Sequence, residues 1–253
     1  MRLNFKSFGQ GPALIILHGL FGSLDNWVSH ARILAENHSV YLLDQRNHGK
    51  SPHDPEWDYP TMAEDLHDFM DQQGIFQADL IGHSMGGKVV MQFALEYPSR
   101  VNRLIVADMA PKSYPPHHTQ ILETIRSVDL GSLNSRKEAD AKLAEGIDEL
   151  SVRQFLLKGL GRNEEKQFAW KFNFPVIYER YPKILENLEV DDEFDGPTLF
   201  LYGGASHYVT PEDFEDILEK FPQAEFIEMP GIGHWLHAQA PKAFLEHVGK
   251  FLA

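Results

Sequence analysis

The segment Gly82-His83-Ser84-Met85-Gly86-Gly87 limits what this chain can fold into more than any other stretch. A serine with a glycine two residues away on either side is how a β-strand hands a side chain to the helix that follows it. Upstream, Ala78-Asp79-Leu80-Ile81 is short and apolar, as a buried strand should be; downstream, Val89, Val90, Phe93, Ala94 and Tyr97 recur at helical spacing. Ser84 is therefore expected at a strand-to-helix turn, in a strained backbone conformation. Gly82 and Gly86 would stand where any Cβ would strike the neighbouring strand or helix. The same pattern can occur in a plain glycine-rich loop, so the rest of the chain has to decide.

Three further motifs agree with the turn at Ser84. Leu14-Ile15-Ile16-Leu17-His18-Gly19-Leu20-Phe21-Gly22 is an apolar strand running into a His-Gly turn. Asp44-Gln45-Arg46-Asn47-His48-Gly49-Lys50-Ser51 follows the apolar strand 40–43. Gly231-Ile232-Gly233-His234-Trp235 places a glycine-flanked histidine near the end of the chain. Taken together, in this order and spacing, the four motifs resemble those of the α/β-hydrolases. The first resembles that family's oxyanion loop and the second its D-x-R-x-x-G-x-S turn. The resemblance implies a mostly parallel central sheet with helices on both faces.

The coarse pattern agrees. Strands are expected near 2–8, 13–18, 39–44, 78–82, 103–108, 197–202 and 224–228, interleaved with helices at about 26–36, 60–73, 85–97, 211–220 and 238–252. Between residue 111 and about 194 the rhythm stops. Residues 117–128, 135–149, 151–159 and 175–187 read as short amphipathic helices with no strand among them, which predicts a helical cap (111–194) inserted into a core formed by 1–110 and 195–253. The aromatics of that insertion, Tyr114, Phe155, Phe168, Trp170, Phe172, Phe174, Tyr178 and Tyr181, mostly serve packing, and some are expected to line an apolar acyl pocket. Phe21, Trp170, Phe172 and Trp235 are the candidates for that pocket.

A serine at neutral pH needs a base, and thirteen histidines compete for the role. His234 is favoured because it follows the strand 225–229 through a Pro-Gly turn and so lands at the carboxyl edge of the sheet, where Ser84 also sits. His18 reads as a brace of the oxyanion loop, His83 as pointing away from the site, and His48 as part of its own turn. His117, His118, His207 and His237 lack metal-type spacing and read as surface or cap residues, so no metal is expected.

The third member of the triad departs from the common family pattern. Most of the family carries its acid after the strand matching 198–202, where this chain reads Gly203-Gly204-Ala205-Ser206-His207-Tyr208-Val209, with a serine in place of the aspartate. Some members carry the acid instead at the end of the family's sixth strand, and the matching segment here, Leu104-Ile105-Val106-Ala107, ends at Asp108. Asp108 is thus the expected acid, Asp213 the weaker alternative, and Ser206 a supporting hydrogen-bond partner. By the same resemblance the oxyanion hole comprises the backbone amides of Leu20 and Met85, the latter opening a helix whose dipole favours negative charge.

The formal charge of -14 argues against nucleic acid or an anionic membrane as partner. The chain has no cysteine, hence no thiol nucleophile, and no apolar run approaches a membrane span; a cytoplasmic location is the default expectation. Phe21-Gly22-Ser23-Leu24-Asp25-Asn26, the Arg46-Asn47-His48-Gly49 turn, the nucleophile turn and Trp170-Lys171-Phe172-Asn173 together resemble the bacterial YbfF-type esterases. That likeness implies a serine hydrolase of small-molecule carboxylic esters or acyl-CoA thioesters that needs no cofactor. A carbon–carbon or carbon–nitrogen bond hydrolase on the same triad, and a non-catalytic binding member of the fold, are the alternatives.

Overall fold

The computed structural model describes residues 1–188 and 190–253. Its strands are β1 (Phe5–Phe8), β2 (Ala13–Leu17), β3 (Ser39–Leu43), β4 (Ala78–His83), β5 (Val101–Ala107), β6 (Leu160–Arg162), β7 (Phe168–Trp170), β8 (Thr198–Gly203) and β9 (Ala224–Met229). Seven of them form one sheet in the order β1-β3-β2-β4-β5-β8-β9. Only β1 runs antiparallel to its neighbour; the remaining pairs are parallel. The helices are α1 (Val28–Leu34), α2 (Tyr59–Gln73), α3 (Met85–Glu96), α4 (Thr119–Ser127), α5 (Arg136–Leu143), α6 (Leu150–Lys158), α7 (Phe174–Leu185), α8 (Phe214–Lys220), α9 (Leu236–Gln239) and α10 (Pro241–Leu252).

Because parallel strands joined by helices are covered on both faces, their side chains are apolar on both. Successive residues alternate between two cores accordingly. Ile15, Leu17, Leu80, Leu104, Val106 and Phe200 join α2 and α3 on one side. Leu14, Ile16, Ile81, Ile105, Leu199 and Leu201 join α1 and α10 on the other. Buried apolar surface stabilises by roughly 25 cal/mol per Å², so the two-sided pattern holds the strand register and hence the carboxyl edge where the loops meet.

Residues between β5 and β8 leave the sheet, as the break in the βα rhythm predicts, but not as helices alone. β6 and β7 form an antiparallel hairpin, Leu160 opposite Trp170 and Arg162 opposite Phe168, which corrects the expectation of an all-helical segment. The alternation Phe168-Ala169-Trp170 is too short to give a period by sequence, and the cross-strand partner lies beyond an intervening turn. The helix expected over 135–149 also ends early, at Leu143, where Glu145 and Gly146 turn back toward Lys142 and Leu143.

Both ends of this segment are fastened to α3. Lys88, fully buried, donates from Nζ to the carbonyls of Lys112 (2.7 Å) and Glu186 (2.5 Å). Tyr59 donates its hydroxyl to Ile184 O at 2.7 Å. Burial pushes the Lys88 ammonium pKa down to about 7.

Candidate active site

Ser84 sits between β4 and α3 with φ 54° and ψ -121°, the strained conformation expected of a non-glycine residue at this turn. Its amide donates to Ala107 O and its carbonyl accepts from Lys88. The two glycines are needed for close approach: a Cβ on Gly82 would lie 2.2 Å from Gly86 O, and one on Gly86 would lie 2.6 Å from the carbonyl oxygens of Leu17 and His18.

Asp108 ends β5, fully buried and also at positive φ, 51°. Its Oδ1 accepts from Gly203 N at 2.9 Å. Oδ2 accepts from Ser206 Oγ at 2.5 Å and from His234 Nδ1 at 2.7 Å. The bond to Nδ1 leaves Nε2 of the neutral imidazole as an acceptor. His234 is delivered by the Pro230-Gly231 turn after β9. Gly203 lets that turn come close, since a Cβ there would meet Ile232 O at 2.4 Å. Asp213, the weaker alternative, is taken up elsewhere: it pairs with Lys112 at 2.6 Å and caps Thr210.

Ser84 and His234 line one narrow cavity of about 50 Å³. Among the described residues no hydrogen bond joins the two side chains. Such contacts are often long before substrate binds. The rest of the cavity wall includes Gly19, Leu20 and Phe21 on one side and Ile121, Val152, Phe155, Leu156 and Trp235 on the other. Val152, Phe155 and Leu156 are spaced i, i+3, i+4 on α6, a pattern that marks one face of a helix. That spacing was available in the sequence.

Of the four pocket candidates, Phe21 and Trp235 line the cavity that Ser84 and His234 share, whereas Phe172 and Trp170 do not. Phe172 packs behind Phe21, ring centroids 5.0 Å apart, and Trp170 stacks on Phe172 at 5.2 Å. Trp170 borders a separate cavity against β1 and the 44–50 turn. Trp170 ends the hairpin strand β7, and Phe172, two residues on, is bridged to His48 of the 44–51 turn.

The loop after β2 is held by two buried histidines. His18 Nε2 accepts from Gln45 N at 3.1 Å, while its Nδ1 donates to Gly19 O at 2.8 Å. His48 Nε2 accepts from Phe21 N at 3.2 Å. Desolvation lowers the two imidazoles to about 4 and about 3 respectively, so both are neutral acceptors near pH 7. Phe21 and Gly22 thus have partners for their amides, His48 and Gly19 O. Leu20 and Met85 donate theirs to no acceptor among the described residues. The glycine before Leu20 abuts the serine: a Cβ on Gly19 would come within 3.1 Å of Ser84 Cβ.

The Asp44 turn is a structural knot that supports this loop. Asp44 accepts from Asn4, Leu24 N and Lys50 N, and a Cβ on Gly49 would fall 2.0 Å from its carboxyl carbon. Arg46 makes a two-pronged pair with buried Asp65.

Two of the other histidines, His83 and His237, depart from expectation. His83 does not turn away: its Nε2 donates to the carbonyl of His234 at 2.9 Å, with the rings 4.8 Å apart. His48 lies in its own turn but reaches out of it to Phe21. His237 is buried rather than superficial, stacked on Trp27 at 4.3 Å. His117 and His118 lie over the site from the start of the 111–194 segment, hydrogen-bonded to Tyr208 and Tyr181.

A family model described as alpha/beta hydrolase fold matches residues 12–241. The chain belongs to the α/β-hydrolase fold family. This hydrolase is 41% identical over 259 residues to Esterase YbfF of Escherichia coli (strain K12), covering 100% of this chain and 99% of that one. It is 38% identical to the sn-1-specific diacylglycerol lipase ABHD11 of Mus musculus, covering 96% of this chain and 81% of the relative. A solved structure titled "Marine microorganism esterase" superimposes with a TM-score of 0.96 at 43% identity, covering 98% of each chain. The protein is a YbfF-like α/β hydrolase of the esterase and lipase type. Among the described residues no helix is long and apolar enough to cross a membrane.

Proposed function

We propose that this hydrolase cleaves small-molecule carboxylic esters and acyl thioesters through an acyl-serine intermediate on Ser84. The observation that carries the reading is the hydrogen-bonded line from Asp108 to His234 opening into the cavity that Ser84 shares. In this mechanism Nε2 of His234 takes the hydroxyl proton as Ser84 Oγ attacks the acyl carbon. Asp108 holds the tautomer and offsets the imidazolium charge. The amides of Leu20 and Met85 receive the oxyanion, the second at the positive end of α3. Collapse expels the alcohol or thiol with the proton from His234, and the same histidine then activates water to release the acid. Ser206 and His18 act only by holding Asp108 and the oxyanion loop.

On this reading residues 111–194 act as a cap over a core made of 1–110 and 195–253, and its α4 and α6 supply the acyl wall through Ile121, Val152, Phe155 and Leu156. The narrow apolar cavity favours short-to-medium acyl chains, and the names of the relatives, an esterase and a diacylglycerol lipase, favour oxygen esters as one substrate class. The test is hydrolysis of p-nitrophenyl esters and acyl-CoAs across a chain-length series, with Ser84→Ala as the blank. Turnover that disappears in the variant and peaks at one chain length supports the reading. Esterase turnover without CoA thioester turnover removes the thioesterase half, and no turnover above the blank in either series removes the whole.

A further inference from the structure

The turn after β8, where most of the family carries the acid, contributes two other contacts to the site here. Ser206 donates to Asp108, and two residues later the ring of Tyr208 lies nearly parallel to the imidazole of His234, centroids 3.8 Å apart and planes inclined by 16°. We propose that Tyr208 is the positioning residue for His234, a ring that keeps the imidazole turned so that Nε2 faces Ser84. This inference rests on the assignment of His234 as the base.

One hydrogen bond cannot do that alone. The torsion between Cβ and an aromatic ring is broad, and an imidazole tethered only at Nδ1 can rock about that bond and swing Nε2 off the serine. A flat ring in van der Waals contact removes this freedom without competing for either nitrogen. Asp108 and the hydrogen bond from His83 to the His234 carbonyl secure opposite ends of the residue; Tyr208 covers the face between them.

Tyr208 is itself held from four directions. Its amide donates to Ser206 Oγ at 3.3 Å and its carbonyl accepts from Tyr114 OH at 2.8 Å. Its hydroxyl is hydrogen-bonded to His117 Nε2 and sits 3.5 Å from His118 Nε2. His117 Nδ1 faces Pro115 O at 2.7 Å and must donate there, so Nε2 is the acceptor and Tyr208 the donor. His118 is anchored in turn to Tyr181 on α7 at 2.9 Å. The segment that enters the cap thus presses Tyr208 onto the imidazole, joining the cap's seating to the order of the base.

The experiment compares Tyr208→Phe, which keeps the ring, with Tyr208→Leu and Tyr208→Met, which remove it, using a short p-nitrophenyl ester and proton NMR of the His234 ring. In the unmodified protein the His234 ring protons are expected upfield, shifted by the tyrosine ring current, and the Nδ1–H bonded to Asp108 is expected as a low-field resonance. The leucine and methionine variants should lose kcat on the order of tenfold or more, the scale of an aromatic pair and of a misplaced catalytic group, with KM within about twofold. Their low-field proton should broaden, and phenylalanine should restore both. Unchanged kcat in the ringless variants, or a change in KM alone, would overturn the proposal. So would an absent upfield shift in the parent, which needs no variant to fold. Retention of turnover by Ser84→Ala would instead refute the hydrolase reading, while leaving the NMR comparison intact.

Discussion

Asp108 Oδ2 lies 2.7 Å from Nδ1 of His234 across a sequence separation of 126 residues. The carboxylate is fully buried and has only hydrogen-bond donors around it: Gly203 N, Ser206 Oγ and the imidazole. A buried carboxylate bonded by three donors is held in one orientation, as the role proposed for Asp108 requires.

Removing members of this line should cost activity in graded amounts. Ser84→Ala and His234→Ala are each expected to lower kcat by on the order of 10⁴–10⁶, and to act as a unit when combined. Asp108→Asn should cost about 10²–10⁴. Ser206→Ala, which leaves two donors on the carboxylate, should cost under about tenfold. Steady-state kinetics of the four variants decide this; equal losses at Ser206 and Asp108 would overturn the ranking.

Acid should destabilise the fold through its neutral histidines. His18, His48 and His237 are buried and their imidazoles are lowered to about 4, about 3 and about 3, chiefly by desolvation. Their unfolded counterparts titrate near pH 6.5. Between that pH and the folded values, the unfolded chain binds more protons than the folded one. Stability is therefore fully present above about pH 6.5 and falls as pH drops toward 4, by up to about 1.4 kcal/mol per pH unit for each such histidine. Urea unfolding at pH 7.5 and 5 checks this, and His48→Gln, which no longer titrates, should flatten the slope.

Gly49→Ala is expected to destabilise severely although it adds one methyl group. The residue is at φ 61° and the new Cβ would overlap the Asp44 carboxylate. Breaking a buried acceptor's geometry at a strained position costs about 3 kcal/mol or more. Thermal unfolding measures it. Gly74→Ala makes a useful contrast, because its φ is 67° but nothing lies within 4 Å of the added carbon.

Lys88→Met should loosen both ends of the 111–194 segment together. Two carbonyls lose their donor, at about 1–3 kcal/mol for each acceptor left unsatisfied. Amide hydrogen exchange near residues 112–114 and 184–188 should accelerate relative to β4 and β5. Uniform acceleration across the sheet would mean instead that Lys88 supports the core.

The local half of this site was legible because it depends on backbone geometry. Ser84, Gly82, Gly86 and the His18-Gly19 turn are contiguous with strands whose two-sided apolar pattern places them, and short-range steric rules specify the residue types. His234 and Asp108 both follow strands, and a parallel sheet gathers those ends on one edge, so the two side chains meet; the expectation for Asp108 rests on the family resemblance. The β6–β7 hairpin could not be read, because three-residue strands carry no usable period and their pairing is decided across a turn. Nor could the stacking of Tyr208 on His234, the packing of Phe172 behind Phe21, or the burial of His237 against Trp27. Those contacts join segments far apart in the chain, and which side chains meet there depends on how the loops are packed. Strand pattern and short-range sterics specify the sheet, the strained turn and the residues at its edge, whereas the packing of the loops sets which rings lie against His234 and which line the cavity.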